Sequence, residues 1–197
     1  ADRPTIAVLP GMAVVMKPRG WEVDGSGSVP NDCELLSRFV QAHLPRSKCP
    51  IVYMAQFDHG FIHRLDIPSS GLVLTGTSFE GFYWIRWQLN IYSIRRQYCV
   101  VCSGLMSTGL AVIDLPVNAR LHKRSSHRSI TDDHGGPALT RARVTDHLRA
   151  CRVNVQTLVC ICIRSGRKHQ IRTHLRSSGH PSVTDGMYAV AGVLVQL

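Results

Sequence analysis

Apolar and polar residues alternate along several segments of the chain, and a spacing of two predicts β-strands. The clearest segment is 153–164, in which the side chains that share one face are Val153, Val155, Val159, Ile161 and Ile163. Four shorter apolar segments are further strand candidates: residues 6–9, 13–16, 71–77 and 95–102. The first two flank Pro10 and Gly11, a strong turn signal, so we expect the chain to turn between them.

Other segments place apolar residues three and four positions apart, which is the spacing of an amphipathic helix. We expect a first helix that is capped by Asn31 or Asp32 and ends near Leu44. A second helix is expected over 78–89, with the serine at its first position as the cap. A short basic helix is expected over 167–176, after a Ser-Gly break.

The mixture of strands and helices lacks the regular β–α–β spacing of a doubly wound fold, so the pattern predicts an α+β protein. No internal repeat divides the chain, and we expect one domain over residues 1–197. Hydrophobic residues make up 44% of the chain and charged residues 18%, proportions that favour a globular protein over a disordered one. No apolar run approaches the roughly 18 residues of a membrane span, so we expect no membrane association.

Seven cysteines are scattered along the chain, and no basic-then-apolar leader precedes them. An odd number of cysteines without a secretory signal is typical of reduced thiols in an intracellular protein, with cytoplasm, nucleus and organelle all open. Cys99 and Cys102 have the spacing of half a metal site, but no second pair follows, and a strand would place them on opposite faces. We therefore expect no metal.

Positive charge is concentrated in the second part of the chain. Residues 1–80 carry 7 basic and 8 acidic side chains, whereas residues 81–197 carry 16 basic and 5 acidic ones. Arginine, whose planar fork suits phosphate, outnumbers lysine. A one-sided basic half is the electrostatic footprint of a polyanion partner, most often nucleic acid. A basic surface that only keeps the protein soluble is the alternative.

Three polar clusters could carry chemistry. Residues 63–66 (His-Arg-Leu-Asp) lead through Pro, Ser and Gly into an apolar strand, which suggests a functional loop whose carboxylate acts as nucleophile, base or metal ligand. A loop aspartate that only accepts backbone N–H bonds is the alternative. Residues 165–175 place several donors at a helix start, where anions are favoured, although a solvated basic helix end has the same composition. The turn at residues 17–20 (Lys-Pro-Arg-Gly) is a weaker signal.

Together and in this order, these clusters resemble the RluA-type family of RNA pseudouridine synthases. Residues 17–20 (KPRG) look like the family's early K-P-x-G turn, and residues 63–71 (HRLDIPSSG) look like its H-R-L-D-x-x-[TS]-S-G catalytic loop. Residues 95–98 followed by Gly104 are similar to its K-x-Y-x-A-x-V-x-G strand. Residues 166–174 (GRKHQIRTH) are similar to its G-R-T-H-Q-I-R-x-H motif.

The resemblance implies a pseudouridine synthase catalytic fold, with a mixed and mostly antiparallel sheet flanked by helices. It also implies isomerisation of uridine to pseudouridine in structured RNA, either rRNA or tRNA, by an enzyme with no cofactor and no metal. We expect the enzyme to be a monomer. Basic residues 120–128 and 141–152 would bind the phosphates that flank the target.

The resemblance further assigns roles to single residues. Asp66 would be the essential carboxylate, which attacks C1′ of the ribose or removes a proton from C2′. Tyr98 would pack against the base and assist removal of the C5 proton, and Arg172 would pair with Asp66 and keep it ionised. Arg64 would help to open the RNA helix or support the flipped nucleotide. The other expected substrate-binding residues are His63, Arg167, His169, Gln170 and Lys17.

The chain departs from the family pattern at several positions. Lys168 stands where threonine is usual, and Thr184 stands where glycine usually precedes Asp185. The strands that normally follow the Gly-His-Pro element at 179–181 are shortened, since the chain stops at Leu197, so we expect a truncated C-terminal end. A catalytically inactive RNA-binding relative that acts in ribonucleoprotein assembly is therefore the alternative function, and a generic basic RNA-binding domain is a weaker one.

Overall fold

The computed structural model describes residues 2–24, 33–119, 128–149, 155–183 and 185–188. The chain forms two compact units, Ala1–Ile94 and Arg95–Leu197. Each unit contains an apolar cluster of its own. All pairings between the strands described below are antiparallel, and helices accompany the sheets, so the fold is α+β as expected. One catalytic domain over the whole chain stays a prediction.

The first unit contains a three-stranded antiparallel sheet. Its strands are β1 (Thr5–Leu9), β2 (Met12–Lys17) and β3 (Gly71–Gly76), and β2 lies in the centre. Gly11 makes the turn between β1 and β2 with φ of +74°, a left-handed conformation that glycine adopts without strain. Ala13 and Val15 alternate into the core. The three strands expected in this part of the chain are therefore confirmed.

Two α-helices complete the first unit, α1 (Leu36–His43) and α2 (Phe79–Asn90), with 3-10 helices at Pro50–Tyr53 and Ala55–Gly60. The expected start of α1 is wrong, because the N-cap position is Leu35. The Leu36 N–H instead donates to the Glu22 carbonyl at 2.8 Å, a tertiary contact that sequence periodicity does not report. Asn31 and Asp32, the expected caps, lie outside the described residues.

The second helix begins where the sequence predicts. The Ser78 hydroxyl accepts a hydrogen bond from the Gly81 N–H at 3.1 Å, which is the interaction expected of an N-cap serine. No helix among the described residues is both long and apolar enough to cross a membrane.

The second unit is built on a four-stranded sheet and a short two-stranded pair. The strands are β4 (Arg96–Ser103), β5 (Leu110–Asp114), β6 (Val117–Asn118), β7 (Ile130–Thr131), β8 (Leu139–Arg149) and β9 (Val155–Ile163). The order in the large sheet is β4-β9-β8-β5, and β6 pairs with β7. Helix α3 (Gln170–Ser177) contributes Leu175 to the core beside this sheet.

The second unit also corrects the sequence analysis. The sequence of residues 118–137 is rich in Arg, Ser, His and Gly, a composition that predicts an exposed basic loop. This segment instead includes β7 and the buried Ser129, while residues 120–127 lie outside the described part of the chain. In β9 the residues from Val159 onward alternate into the core as expected, but Val155 at the strand's start is exposed. Strand β8 was not expected, because its buried positions are small or polar, such as Thr140, rather than aliphatic.

Candidate active site

The loop that carries Asp66 is fixed by hydrogen bonds to the turn at residues 17–20. The Gly20 N–H donates to the Ile67 carbonyl at 2.8 Å, and the Ser69 N–H donates to the Asp66 carbonyl at 3.0 Å. The Asp66 side chain is half-buried, and Gly71 at the loop's end enters β3. Two motifs that lie far apart in the sequence are therefore adjacent in the first unit.

Lys17 lies between these two motifs and has a side chain that is 0% exposed. Its Nζ donates to the backbone carbonyls of Pro18 (3.0 Å), Trp21 (2.8 Å), Ile67 (3.3 Å) and Ser69 (2.6 Å). Burial lowers the pKa of the Lys17 ammonium to about 8, while the nearby charges of Cys33 and Asp66 act in the opposite direction. Lys17 therefore contacts the loop from inside the protein.

His63 and Arg64, the first two residues of the loop that carries Asp66, have different environments. The Leu74 N–H donates to His63 Nε2 at 3.2 Å, so this ring nitrogen carries no proton and the imidazole is held against β3. The Arg64 side chain is 54% exposed and forms ion pairs with Asp24 at 3.3 Å and Glu22 at 3.8 Å.

Glu22 and Asp24 are buried acids that the sequence analysis did not select. Burial raises the pKa of the Glu22 carboxyl; the Arg64 charge lowers it, and the Asp24 charge raises it further. The guanidinium of Arg64 is thus held over two buried carboxylates while much of its side chain faces solvent. In the sequence these residues are two acids, two positions apart, that follow the turn at residues 17–20. This pattern is too common to identify a functional site by itself.

Tyr98 lies on β4, where it pairs with Ile161 of β9 and packs, half-buried, against the core of the second unit. The same strand carries Cys99, which is exposed, and Cys102, which is buried, so the two thiols lie on opposite faces as expected. Burial raises the pKa of the Cys102 thiol to about 11. Within the described residues, no group of three or more His, Cys, Asp or Glu side chains could hold a metal ion.

The start of α3 is fixed by the buried side chain of Gln170. Its Oε1 accepts from the Ser165 hydroxyl at 3.0 Å and from the Arg167 N–H at 3.1 Å. Its Nε2 donates to the Leu139 carbonyl and the Thr140 hydroxyl, both at 3.1 Å. Gln170 therefore joins the turn before α3 to the first residues of β8.

Arg172 on α3 forms a two-pronged ion pair with Asp185. Its Nε and Nη2 donate to the two carboxylate oxygens at 2.6 Å each, and its Cζ lies 4.7 Å from the centre of the Tyr188 ring. Burial raises the pKa of Asp185, but the bonds and charge of Arg172, with the Tyr188 and Met187 N–H groups, outweigh it and leave that pKa below its usual value. The expected pairing of Arg172 with Asp66, a residue of the other unit, stays a prediction.

Tyr188 links Arg172 to the residue before α3. His169 Nδ1 lies 3.0 Å from the Tyr188 hydroxyl, which also accepts from the Ser129 N–H at 2.6 Å. Arg167 is exposed, and its Nε donates to the Pro137 carbonyl at 3.2 Å. Asp185 entered the sequence motifs only as the neighbour of a departure, and Tyr188 was not predicted. The available signal was their spacing of three after the Gly-His-Pro element.

Comparison with known proteins identifies the family of this chain. The model of the RNA pseudouridylate synthase family matches residues 11–177, which include the turn at 17–20, the loop with Asp66 and helix α3. The chain belongs to this family. The resemblance inferred from the sequence motifs is thereby confirmed.

Bacterial proteins whose names refer to the large ribosomal subunit are among the relatives of this family member. It is 32% identical over 129 residues to ribosomal large subunit pseudouridine synthase D of Nitrosomonas europaea, covering 66% of this chain and 35% of the relative. It is 29% identical over 175 residues to the protein of the same name from Salmonella typhimurium, covering 89% of this chain and 49% of the relative. The chain thus spans about half or less of the length of these curated relatives.

Solved structures show the same fold. The structure of human RNA pseudouridylate synthase domain containing 1 matches with a TM-score of 0.68 at 18% identity, covering 96% of this chain and 71% of that one. Human RNA pseudouridylate synthase domain containing 4 matches with a TM-score of 0.62 at 18% identity, covering 90% of this chain and 66% of that one. The pseudouridine synthase fold predicted from the motifs is confirmed.

Proposed function

We propose that the chain is an RNA pseudouridine synthase, an isomerase that converts uridine to pseudouridine with Asp66 as its essential carboxylate. The observation that supports this most is the clamp on the loop: Lys17 and Gly20 bind the carbonyls of Ile67 and Ser69, beside the half-buried Asp66. A carboxylate held in place by such bonds needs little reorganisation to stabilise charge that develops on a substrate.

The proposed reaction is an internal rearrangement. The N1–C1′ bond breaks, a C5–C1′ bond forms, and the proton lost from C5 is balanced by one gained at N1. No electron or group is exchanged with another molecule, so the balance requires no cofactor. Positive character develops at C1′ as the first bond breaks, and a nearby carboxylate stabilises it. Asp66 acts either by attack on C1′ or by removal of the C2′ proton, and both routes need its ionised form.

The other expected site residues divide into direct and supporting roles in this proposal. Tyr98 packs against the base and assists loss of the C5 proton, and Arg172 keeps Asp66 ionised by its positive charge. Arg64 supports the flipped nucleotide, whose extrusion costs about a few kcal/mol. Exposed Arg167 contacts RNA. The supporting residues are His63, Lys17, His169 and Gln170, whose polar groups bind other parts of the protein.

We further propose that the substrate is ribosomal RNA rather than tRNA, and that a single chain acts on it. The relatives at 29% and 32% identity are named as synthases of the large ribosomal subunit, which supports this choice. A ribosomal substrate would place the protein inside the cell or an organelle.

Release of tritium from RNA labelled with [5-³H]uridine tests the proposal, because formation of pseudouridine removes the C5 hydrogen. We expect release with the wild type and a loss of at least about a thousandfold in Asp66→Asn, since the amide can neither attack nor accept a proton. Asp58→Asn is the matched control, because Asp58 is an exposed carboxylate of the same unit. RNA binding should remain within about threefold in all three proteins.

The outcomes separate the candidate functions. Normal turnover by Asp66→Asn would show that the assigned carboxylate is wrong. RNA binding without tritium release by any of the three proteins would favour the inactive RNA-binding relative. Separate labelled rRNA and tRNA fractions show which RNA is the substrate.

A further inference from the structure

Helix α2 exposes large aromatic side chains that the core does not use. The exposed apolar residues in and directly after this helix are Phe79, Tyr83, Trp84, Trp87, Ile91 and Tyr92. Tyr83 and Trp87 are each 56% exposed. Scattered single apolar residues on a surface are ordinary, but several aromatic rings on one short helix mark an interaction surface.

The helical spacing groups these rings on one side of α2. Phe79, Tyr83 and Trp87 are four residues apart, so they form a continuous ridge along the helix. Trp84 and Arg86 lie on either side of this ridge. The core-facing side is supplied by other residues, Phe82 and Ile85, which are almost fully buried. The ridge of Phe79, Tyr83 and Trp87, with Trp84 and Arg86, is called the aromatic face below.

Packing holds the backbone of α2 and the rings of Phe79 and Tyr83 in place. A side chain at Gly81 would meet the Gly11 carbonyl oxygen at 1.8 Å, and one at Gly76 would meet the Phe82 Cα at 2.5 Å, so the helix lies in direct backbone contact with its neighbours. The Phe57 ring makes edge contacts with the rings of Phe79 at 5.3 Å and Tyr83 at 6.3 Å between centroids. A rigid aromatic surface loses little conformational entropy when it binds a partner.

The charge pattern indicates the chemistry of that partner. Between residue 81 and the end of the first unit at Ile94, the sequence contains one basic residue, Arg86, and no acidic residue. The acid of α2, Glu80, lies in its first turn, where it complements the helix dipole. Arg86 extends over the Phe82 ring, with its Cζ 5.6 Å from the ring centre, at the border of the aromatic face. Aromatic rings beside arginine fit stacked bases and a phosphate, the pattern of single-stranded nucleic acid recognition.

We propose that the aromatic face of α2 binds unpaired nucleotides of the RNA by stacking their bases on Tyr83, Trp84 and Trp87. The proposal rests on the proposed function and deepens it, since it names unpaired RNA next to the target uridine as the feature that the protein recognises. Arg86 binds a phosphate of the same strand.

Binding of short RNAs tests this inference without any need for turnover. In Tyr83→Ser/Trp87→Ser, we expect the affinity for a fluorescent single-stranded RNA to fall about tenfold or more, because two stacking platforms are lost. A blunt-ended, fully paired RNA duplex should bind the variant within about twofold of the wild type. Val8→Ser/Leu105→Ser is the matched control: it removes two apolar side chains of similar exposure, 55% and 64%, outside α2, and should not change either affinity.

Photochemical cross-linking locates the contact directly. Trypsin cuts after Arg86 and Arg95, so Trp87 and Tyr92 lie in one peptide, residues 87–95, separate from the peptide that holds Asp66. With single-stranded RNA that contains 5-bromouridine, we expect cross-links in the peptide 87–95. Cross-links only at residues other than Tyr83, Trp84 and those of the peptide 87–95 would overturn the inference.

Three further outcomes are decisive. If the double variant binds RNA normally but sediments as a smaller species than the wild type, the aromatic face joins two copies of the chain and the inference is wrong. If the wild type releases no tritium while the double variant alone loses RNA affinity, the inference holds and the proposed activity fails. If the wild type releases tritium and the double variant binds single-stranded RNA normally, only the inference fails.

Discussion

Lys17 places an ammonium group where water does not reach, with its Nζ bonded to four backbone carbonyls. Burial of a charge is costly unless polar partners replace water. The carbonyls of Ile67 and Ser69 are two of those partners, so the lysine joins the strand β2 to the loop that carries Asp66. At this scale Lys17 is a positioning residue, which acts on the site through the backbone.

The stability of the protein should report the titration of Lys17. Its pKa is about 8 in the folded protein and 10.5 ordinarily, so between these values the unfolded state binds more protons and stability rises with pH. We expect the free energy of unfolding of the wild type, relative to Lys17→Met, to increase by about 2–3 kcal/mol from pH 7 to pH 10. Urea unfolding of both proteins measures this difference.

The exposed lysine Lys48 provides the control for this experiment. Lys48→Met removes the same kind of side chain from an exposed position, so it shows how much of any pH dependence arises without burial. The same pH dependence in Lys17→Met and Lys48→Met would mean that Lys17 is not a buried, titrating ammonium.

At the scale of elements, the alternation of aliphatic residues was sufficient to predict a strand, whereas a strand whose buried residues are polar could not be predicted. Strands β2 and β3 and helix α2 follow the predicted segments closely. The alternating valines and leucines of the strands indicate a buried face, and the serine before α2 indicates a helix start. Strand β8 escaped prediction because Thr140 is buried by hydrogen bonding to Gln170 rather than by apolar contact. No local pattern in a sequence reports such a partner, which lies 30 residues away along the chain.

The contact between α2 and the turn before β2 also belongs to this scale. Gly81 has no room for a side chain, since a Cβ would lie 1.8 Å from the Gly11 carbonyl oxygen. We expect Gly81→Ala to destabilise the protein by about 3 kcal/mol, because the helix must move off the turn. Gly186→Ala is the matched control, as nothing lies within 4 Å of its Cβ position. Equal denaturation midpoints for the two variants would contradict this account.

At the scale of the whole molecule, charge is distributed unevenly along the chain. The net charge is +10, and residues 81–197 supply it. On β8 the buried Thr140 and Ala142 alternate with exposed Arg141 and Arg143, so the two arginines project from the solvent side of the strand. Residues 120–127 and 150–152, which complete the expected basic segments, lie outside the described residues.

The salt dependence of RNA binding tests whether this charge binds phosphate. For Arg141→Gln/Arg143→Gln, we expect the slope of log affinity against log salt to be smaller than in the wild type by about 0.7–0.9 per lost phosphate contact. Arg3→Gln/Arg46→Gln removes the same charge from exposed positions in the first unit and should leave the slope close to that of the wild type. If Arg141→Gln/Arg143→Gln had the same slope as the wild type and the control, the result would support a basic surface that only keeps the protein soluble.

The sequence by itself determined the family, the α+β class and most strands, because motif spacing and aliphatic alternation are local properties of the chain. It also selected Asp66, Tyr98 and Arg172 as the residues on which the proposed chemistry depends. Only the tertiary structure decided how polar side chains are partnered. Lys17 binds carbonyls 50 and 52 residues away, and Arg172 binds Asp185 across 13 residues, beyond α3. Such bonds depend on which elements pack together, and that packing brings distant donors and acceptors within hydrogen-bonding distance without leaving a periodic trace in the sequence.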